Sequence, residues 1–104
     1  MSSDFVVRPE AEADIDEAYG WYEERSSGLG TRFLDAVEET IGWIRNSPQR
    51  FPAKHRETDL AIRRALVPDF PYGLFFIWDE EAGATSVIAC MHASRDPRRW
   101  LERA

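Results

Sequence analysis

The sequence predicts an α+β domain: a helical hairpin packed on one face of a small, mainly antiparallel sheet, in the order β-α-α-β-β-β. Three observations point there. Ala11, Ile15, Ala18, Tyr19 and Tyr22 fall on one helical face, and Phe33, Val37, Ile41 and Ile44 fall on another. Three later segments, 60–67, 72–78 and 85–92, are rich in β-branched and aromatic residues and bounded by turn formers. Finally, 104 residues with 43% hydrophobic content suit a single domain, 1–104, built round one core.

Each element follows from local chemistry. "DFVVR" (4–8) reads as a short strand running into Pro9, whose missing N–H costs nothing at the first helical position. Glu10, Glu12 and Asp14 then sit near the positive end of the first helix. Gly28 and Gly30 end that helix, and the second starts at once, with Leu34 widening its apolar stripe. Asn46, Ser47 and Pro48 stop it. So short a link makes the two helices antiparallel neighbours. Residues 47–59, "SPQRFPAKHRETD", read as a long loop carrying Lys54, His55 and Arg56. Pro68 and Asp69 suit a tight turn between the next two strands, and Gly83 a left-handed position between the last two.

One feature does not fit a sheet covered on one side. Two helices cover only one face, so each strand should alternate apolar and polar residues. "LFFIW" (74–78) and "VIACM" (87–91) do not. Three things could cover the second face: the tail with Trp100 and Leu101, a second copy of the chain, or a partner protein.

Charge and cysteine usage narrow the function classes. The net charge of −6 argues against a general nucleic-acid binder. The charge is uneven: residues 1–43 carry a balance of −8 and residues 44–104 one of +2. Cys90 is the single cysteine, which fits a reducing compartment. The N-terminal stretch has no basic n-region and the apolar runs are far too short to span a bilayer, so a cytoplasmic protein with no membrane partner is expected.

No cofactor is expected either. Cys90, His92 and the distant His55 fall short of the ligands a zinc site needs, so a buried free cysteine is the simpler reading. His92, Ser94 and Asp96 lie too close together in sequence to form a triad, and no nucleophile elbow or phosphate loop occurs. The cations are the better lead. "CMHASRDPRRW" (90–100) gathers His92, Arg95, Arg98 and Arg99 at the end of the most apolar run. Arg63 and Arg64 lie inside a strand and point to opposite faces. A tight hairpin brings His92 and Arg95 near Tyr72, and Arg63 from the preceding strand could join them. Such a surface offers guanidinium forks for a phosphate or carboxylate, with His92 able to move a proton near neutral pH. The alternative is that these charges protect a sheet edge from aggregation.

The segments "PEAEADIDEAYGWYEERSSGLGTRFLDAVEETIGWIRNSPQRFP", "IRRALVPDFPYGLFFIW" and "VIACMHASRDPRRWLER" together resemble the RelE/ParE superfamily of bacterial toxins. That resemblance implies the toxin of a type II toxin–antitoxin (plasmid stabilisation) system, wrapped by a cognate antitoxin. RelE-like members cut messenger RNA on the ribosome. For such a member the resemblance assigns Arg63 and Arg95 to the phosphate and His92 to proton transfer. ParE-like members bind DNA gyrase and need no catalytic residue; Arg63, Tyr72, His92, Arg95 and Arg98 would then form the target-binding surface. The acidic balance, a tail with no tyrosine after Tyr72, and Lys54 placed in a loop favour the ParE-like side. A non-toxic member that only binds a partner, or a homodimer, are the remaining alternatives.

Overall fold

The computed structural model describes residues 4–56 and 61–93. The chain runs β1 (Asp4–Val7), α1 (Pro9–Arg25), α2 (Leu29–Asn46), a single 3-10 turn (Pro48–Arg50), β2 (Ala53–Arg56), β3 (Ala61–Leu66), β4 (Tyr72–Asp79) and β5 (Ala84–His92). The strands form one sheet in the order β1-β5-β4-β3-β2. β1 lies parallel to β5, and every other pair is antiparallel. The predicted helical hairpin on a mainly antiparallel sheet is the fold observed.

One expectation needs correcting. Residues 47–59 were expected as loop, yet Ala53–Arg56 adds a fifth strand against β3, with a register irregularity between Ala53 and His55. Two prolines and three consecutive charged or polar residues mask a four-residue edge strand, where pairing on one side suffices.

The hairpin link shows how two helices reverse over three residues. Gly28 takes a left-handed conformation (φ 90°) at the start of α2, one that other residues rarely adopt. Neither a capping side chain nor a first-turn acid comes from α2 itself. Glu23 of α1 supplies both: its carboxylate accepts the Gly28 N–H at 3.0 Å and the Gly30 N–H at 2.9 Å. Gly30 also lets the helices touch, since a Cβ there would lie 2.8 Å from the Tyr19 carbonyl oxygen.

Between hairpin and sheet lies the main core. Ala11, Ile15, Ala18 and Tyr22 meet Phe33, Val37 and Ile44, and all rest on Leu74, Phe76, Val87 and Cys90. The other face carries its own cluster of Ile62, Phe75, Ile88 and Ala89, flanked by Ile77 and Met91. This accounts for the strands that fail to alternate. In β4, Leu74 and Phe76 enter the first cluster while Phe75 and Ile77 enter the second. In β5, Val87 pairs with Phe76 and Ala89 with Phe75, so Ile88 is an inserted residue. That bulge places Ile88 and Ala89 on the same side. Trp100 and Leu101, one of the three covers the sequence allows for this face, lie outside the described residues.

Candidate functional site

The turn between β3 and β4 and the end of β5 meet at one end of the sheet. Asp69 adopts a left-handed conformation (φ 68°) in that turn, and the Ala93 N–H donates to the Pro71 carbonyl at 2.8 Å. Here Tyr72 stands directly opposite His92, with ring centroids 5.9 Å apart. The Tyr72 ring continues inward to Phe33 (5.4 Å) and Tyr22 (6.1 Å). The tight hairpin therefore brings His92 to Tyr72 as the sequence predicts.

Arg63 does not join them. It stands opposite Phe76, four residues along β4 from Tyr72, a separation of roughly 13 Å. Opposed residues share a face, so Arg63 points toward the helices with Phe76. There its Nη1 donates to the Phe51 carbonyl at 2.6 Å, and its guanidinium lies 5.5 Å from the Trp78 ring centroid. A charge-assisted bond this short ties the segment leaving α2 down onto the sheet.

Arg64 takes the opposite face, across from Phe75. Its stem passes over Gly73, where a Cβ would lie 3.1 Å from the arginine Cγ. Its Nη1 reaches the Ala93 carbonyl at 3.4 Å, a long contact. Arg64 thus shares an end of the sheet with His92 but not a face. Arg95 and Arg98, the other two predicted site residues, lie outside the described residues.

The titratable groups under this region are set by burial. Burial first, and the nearby Asp14 charge second, push the Cys90 thiol up to about 12. Tyr22 is raised by burial, then by Tyr72 and Cys90. A buried thiol held protonated is a poor nucleophile at neutral pH. Among the described residues, no cluster of three or more His, Cys, Asp or Glu side chains could hold a metal, and no helix is long and apolar enough to cross a membrane.

Two features escaped the sequence reading. Asp14, expected only as a helix-end charge, accepts the Cys90 backbone N–H at 3.0 Å. A groove of about 300 Å³, lined by Trp43, Phe51, Pro52, Arg64 and Leu66, opens beside β3. The signal for the groove was Leu66 itself, a large apolar residue at an outward-facing strand position; it is 56% exposed.

A helical hairpin on one face of a sheet in this strand order, with Arg63 and Arg64 on β3 and His92 at the end of β5, defines a small domain of the RelE/ParE-like class. The family model described as the ParE toxin of the type II toxin–antitoxin system, parDE, matches residues 5–97, and the chain belongs to that family. Among curated proteins, none matches the sequence. Three solved structures share the fold. The chromosomal ParDE toxin–antitoxin system from P. aeruginosa matches with a TM-score of 0.69 and 13% identity, over 88% of this chain and 96% of that one. The RelBE2 toxin–antitoxin complex from Mycobacterium tuberculosis matches at 0.60 and 20% identity, over 88% and 99%. The archaeal RelE–RelB complex from Pyrococcus horikoshii OT3 matches at 0.55 and 12% identity, over 92% and 100%.

Proposed function

We propose that this chain is a cytoplasmic toxin that acts by binding DNA gyrase and is held inactive by a cognate antitoxin. The observation that favours binding over catalysis is the placement of Arg63. RNA cleavage by attack of a ribose 2′-hydroxyl needs cations at the phosphate and a proton carrier within hydrogen-bond reach of the same oxygens. Arg63 instead turns toward the helices and holds the Phe51 carbonyl, far along the strand from His92. The acidic balance of −6 agrees, since it weakens approach to the phosphate-rich ribosome.

The test uses the purified chain in two assays run side by side. In a supercoiling assay with bacterial gyrase, the chain is expected to inhibit. In a ribosome-dependent translation extract, messenger RNA is expected to stay intact. Cleaved messenger RNA with gyrase unaffected would replace this reading with the RelE-like one, and Arg95→Ala would then be the first variant to assay. No effect in either assay would leave a partner-binding protein without a toxic activity.

A further inference from the structure

We propose that the free edge of β1 pairs with the same strand of a second copy of this chain, antiparallel, so that the sheet runs on through a two-fold axis at Val6. The Asp4 N–H donates to the Gly83 carbonyl at 3.2 Å and the Arg8 N–H to the Val87 carbonyl at 2.9 Å. In a parallel ladder, residues that bond the neighbour alternate with residues that do not. Asp4, Val6 and Arg8 therefore turn their backbone groups toward β5, and Phe5 and Val7 turn theirs outward. β1 is the last strand of the sheet, and no described residue receives the outward N–H groups and carbonyls of Phe5 and Val7. The side chains alternate too. Phe5 and Val7 pack on the main core, with the Arg45 guanidinium 4.5 Å from the Phe5 ring centroid. Val6 faces the other way and is 52% exposed.

The sequence of the strand fits its own reverse. "DFVVR" (4–8), laid antiparallel on a copy of itself about Val6, sets Phe5 opposite Val7, and each such pair exchanges both of its hydrogen bonds. Val6 then meets Val6 of the second copy where side chains come closest, and Asp4 stands opposite Arg8 at both ends. A guanidinium has several N–H donors, so this pair adds to the contacts that Arg8 has within its own chain. Sliding the register by a residue pair destroys the match. One way it sets Asp4 opposite Val6; the other way it calls on Pro9, which has no N–H and already begins α1. This self-match selects a second copy over any other extended segment. The contact is short, below the roughly 1,200 Å² of a stable complex, so the dimer is weak and forms with rising concentration. It is independent of the target on which the chain acts.

The experiment is sedimentation equilibrium of the purified full chain over a wide concentration range, with backbone hydrogen exchange read at its lowest and highest concentrations. Expected are a monomer–dimer equilibrium and Phe5 and Val7 amides that exchange at least tenfold more slowly in the dimer. Asp4→Arg or Arg8→Asp alone sets like charges opposite each other and should weaken the dimer at least tenfold. The two together restore opposite charges and should bring the dimer back to within threefold of the wild type. Asp4 is exposed, and an aspartate suits the N-cap position that Arg8 holds, so the monomer fold tolerates both changes. Rescue by the pair separates lost association from lost folding. A chain that stays monomeric at millimolar concentration overturns the inference. So does a dimer that ignores the single variants, since it would lie on another surface. Protection of Phe5 and Val7 that appears only with a co-purified small partner protein, and not with concentration, assigns the edge to that partner and overturns it too.

Discussion

Two strands of this sheet outrun their neighbours, and the fold treats the two exposed ends differently. β1 accompanies β5 only as far as Val7↔Val87, and the Arg8 N–H then closes on the Val87 carbonyl. Beyond it, helix α1 lies against β5 and Asp14 takes the Cys90 N–H. β2 accompanies β3 only as far as Arg63, and there the edge borders a groove instead of a helix. Proteins blunt unpaired strand edges because they recruit other chains. One edge is closed by a carboxylate brought from 76 residues away in sequence. The other ends beside the Pro52 segment and borders a groove lined with Trp43 and Leu66.

The largest effect should come from prying the closed edge apart at its support. α1 is held over β5 partly by its contact with α2, and at Gly30 the two helices lie in close contact. A Cβ at Gly30 would stand 2.7–2.8 Å from Tyr19 ring atoms and from the Tyr19 carbonyl. The ring can turn, but the backbone oxygen cannot, so Gly30→Ala has to push the helices apart and loosen the core beneath. We expect a loss of about 3 kcal/mol or more by urea denaturation, typical of overpacking at a rigid contact. A stability within 1 kcal/mol of the wild type would mean that the hairpin has slack there.

Next in size is the carboxylate itself. Asp14→Ala leaves the Cys90 N–H buried without its acceptor and should cost about 2–3 kcal/mol. Asp14→Asn keeps an acceptor oxygen and removes only the charge, so about half of that loss should return. Equal losses for both variants would show that the charge, not the hydrogen bond, does the closing.

The fold was largely legible and the candidate site much less so. Both helices and the three long strands were read from apolar spacing, with Pro9, Gly28, Gly83 and the Pro68–Asp69 turn as punctuation, since these signals are local. The strand Ala53–Arg56 was not, because its pairing with β3 is set by tertiary contact rather than by its own residues. Register reasoning placed His92 beside Tyr72, as observed. It also showed that Arg63 and Arg64 face opposite ways, but alternation alone cannot say which one meets the helices. That depends on Phe76 belonging to the core, which only the assembled sheet reveals. Asp14 and the groove are invisible in sequence for the same reason, being contacts between distant segments.

A pH series sharpens the closed edge further. The Cys90 thiol is raised from 9.0 to about 12 in the folded chain, chiefly by burial and then by Asp14. The folded state thus disfavours the thiolate, while the unfolded chain ionises freely once the pH passes 9.0. Stability from this group is therefore complete below pH 9.0 and is lost progressively as pH rises toward about 12. Comparing wild type with Cys90→Ala across that window removes the contribution of every other group. The wild type should lose stability faster, and the difference should vanish below pH 9.0. Parallel curves throughout would mean that water reaches the thiol.

The smallest effect is expected at the edge beside the groove, and its smallness is the point. Leu66 is more than half exposed, its backbone groups face away from β4, and its side chain belongs to neither core cluster. Leu66→Thr keeps a residue suited to a strand and removes most of the apolar surface lining the groove. Surface changes of this kind move stability by no more than about 0.5 kcal/mol. A chain selected only for its own folding gains nothing from holding a leucine there. If Leu66→Thr instead costs 2 kcal/mol or more, comparable to Asp14→Ala, then the groove is filled from within the chain and both edges are closed. If the cost stays within about 0.5 kcal/mol, the two edges differ in kind: Asp14 ties one of them to a helix, and the side chain beside the other carries no part of the fold's stability.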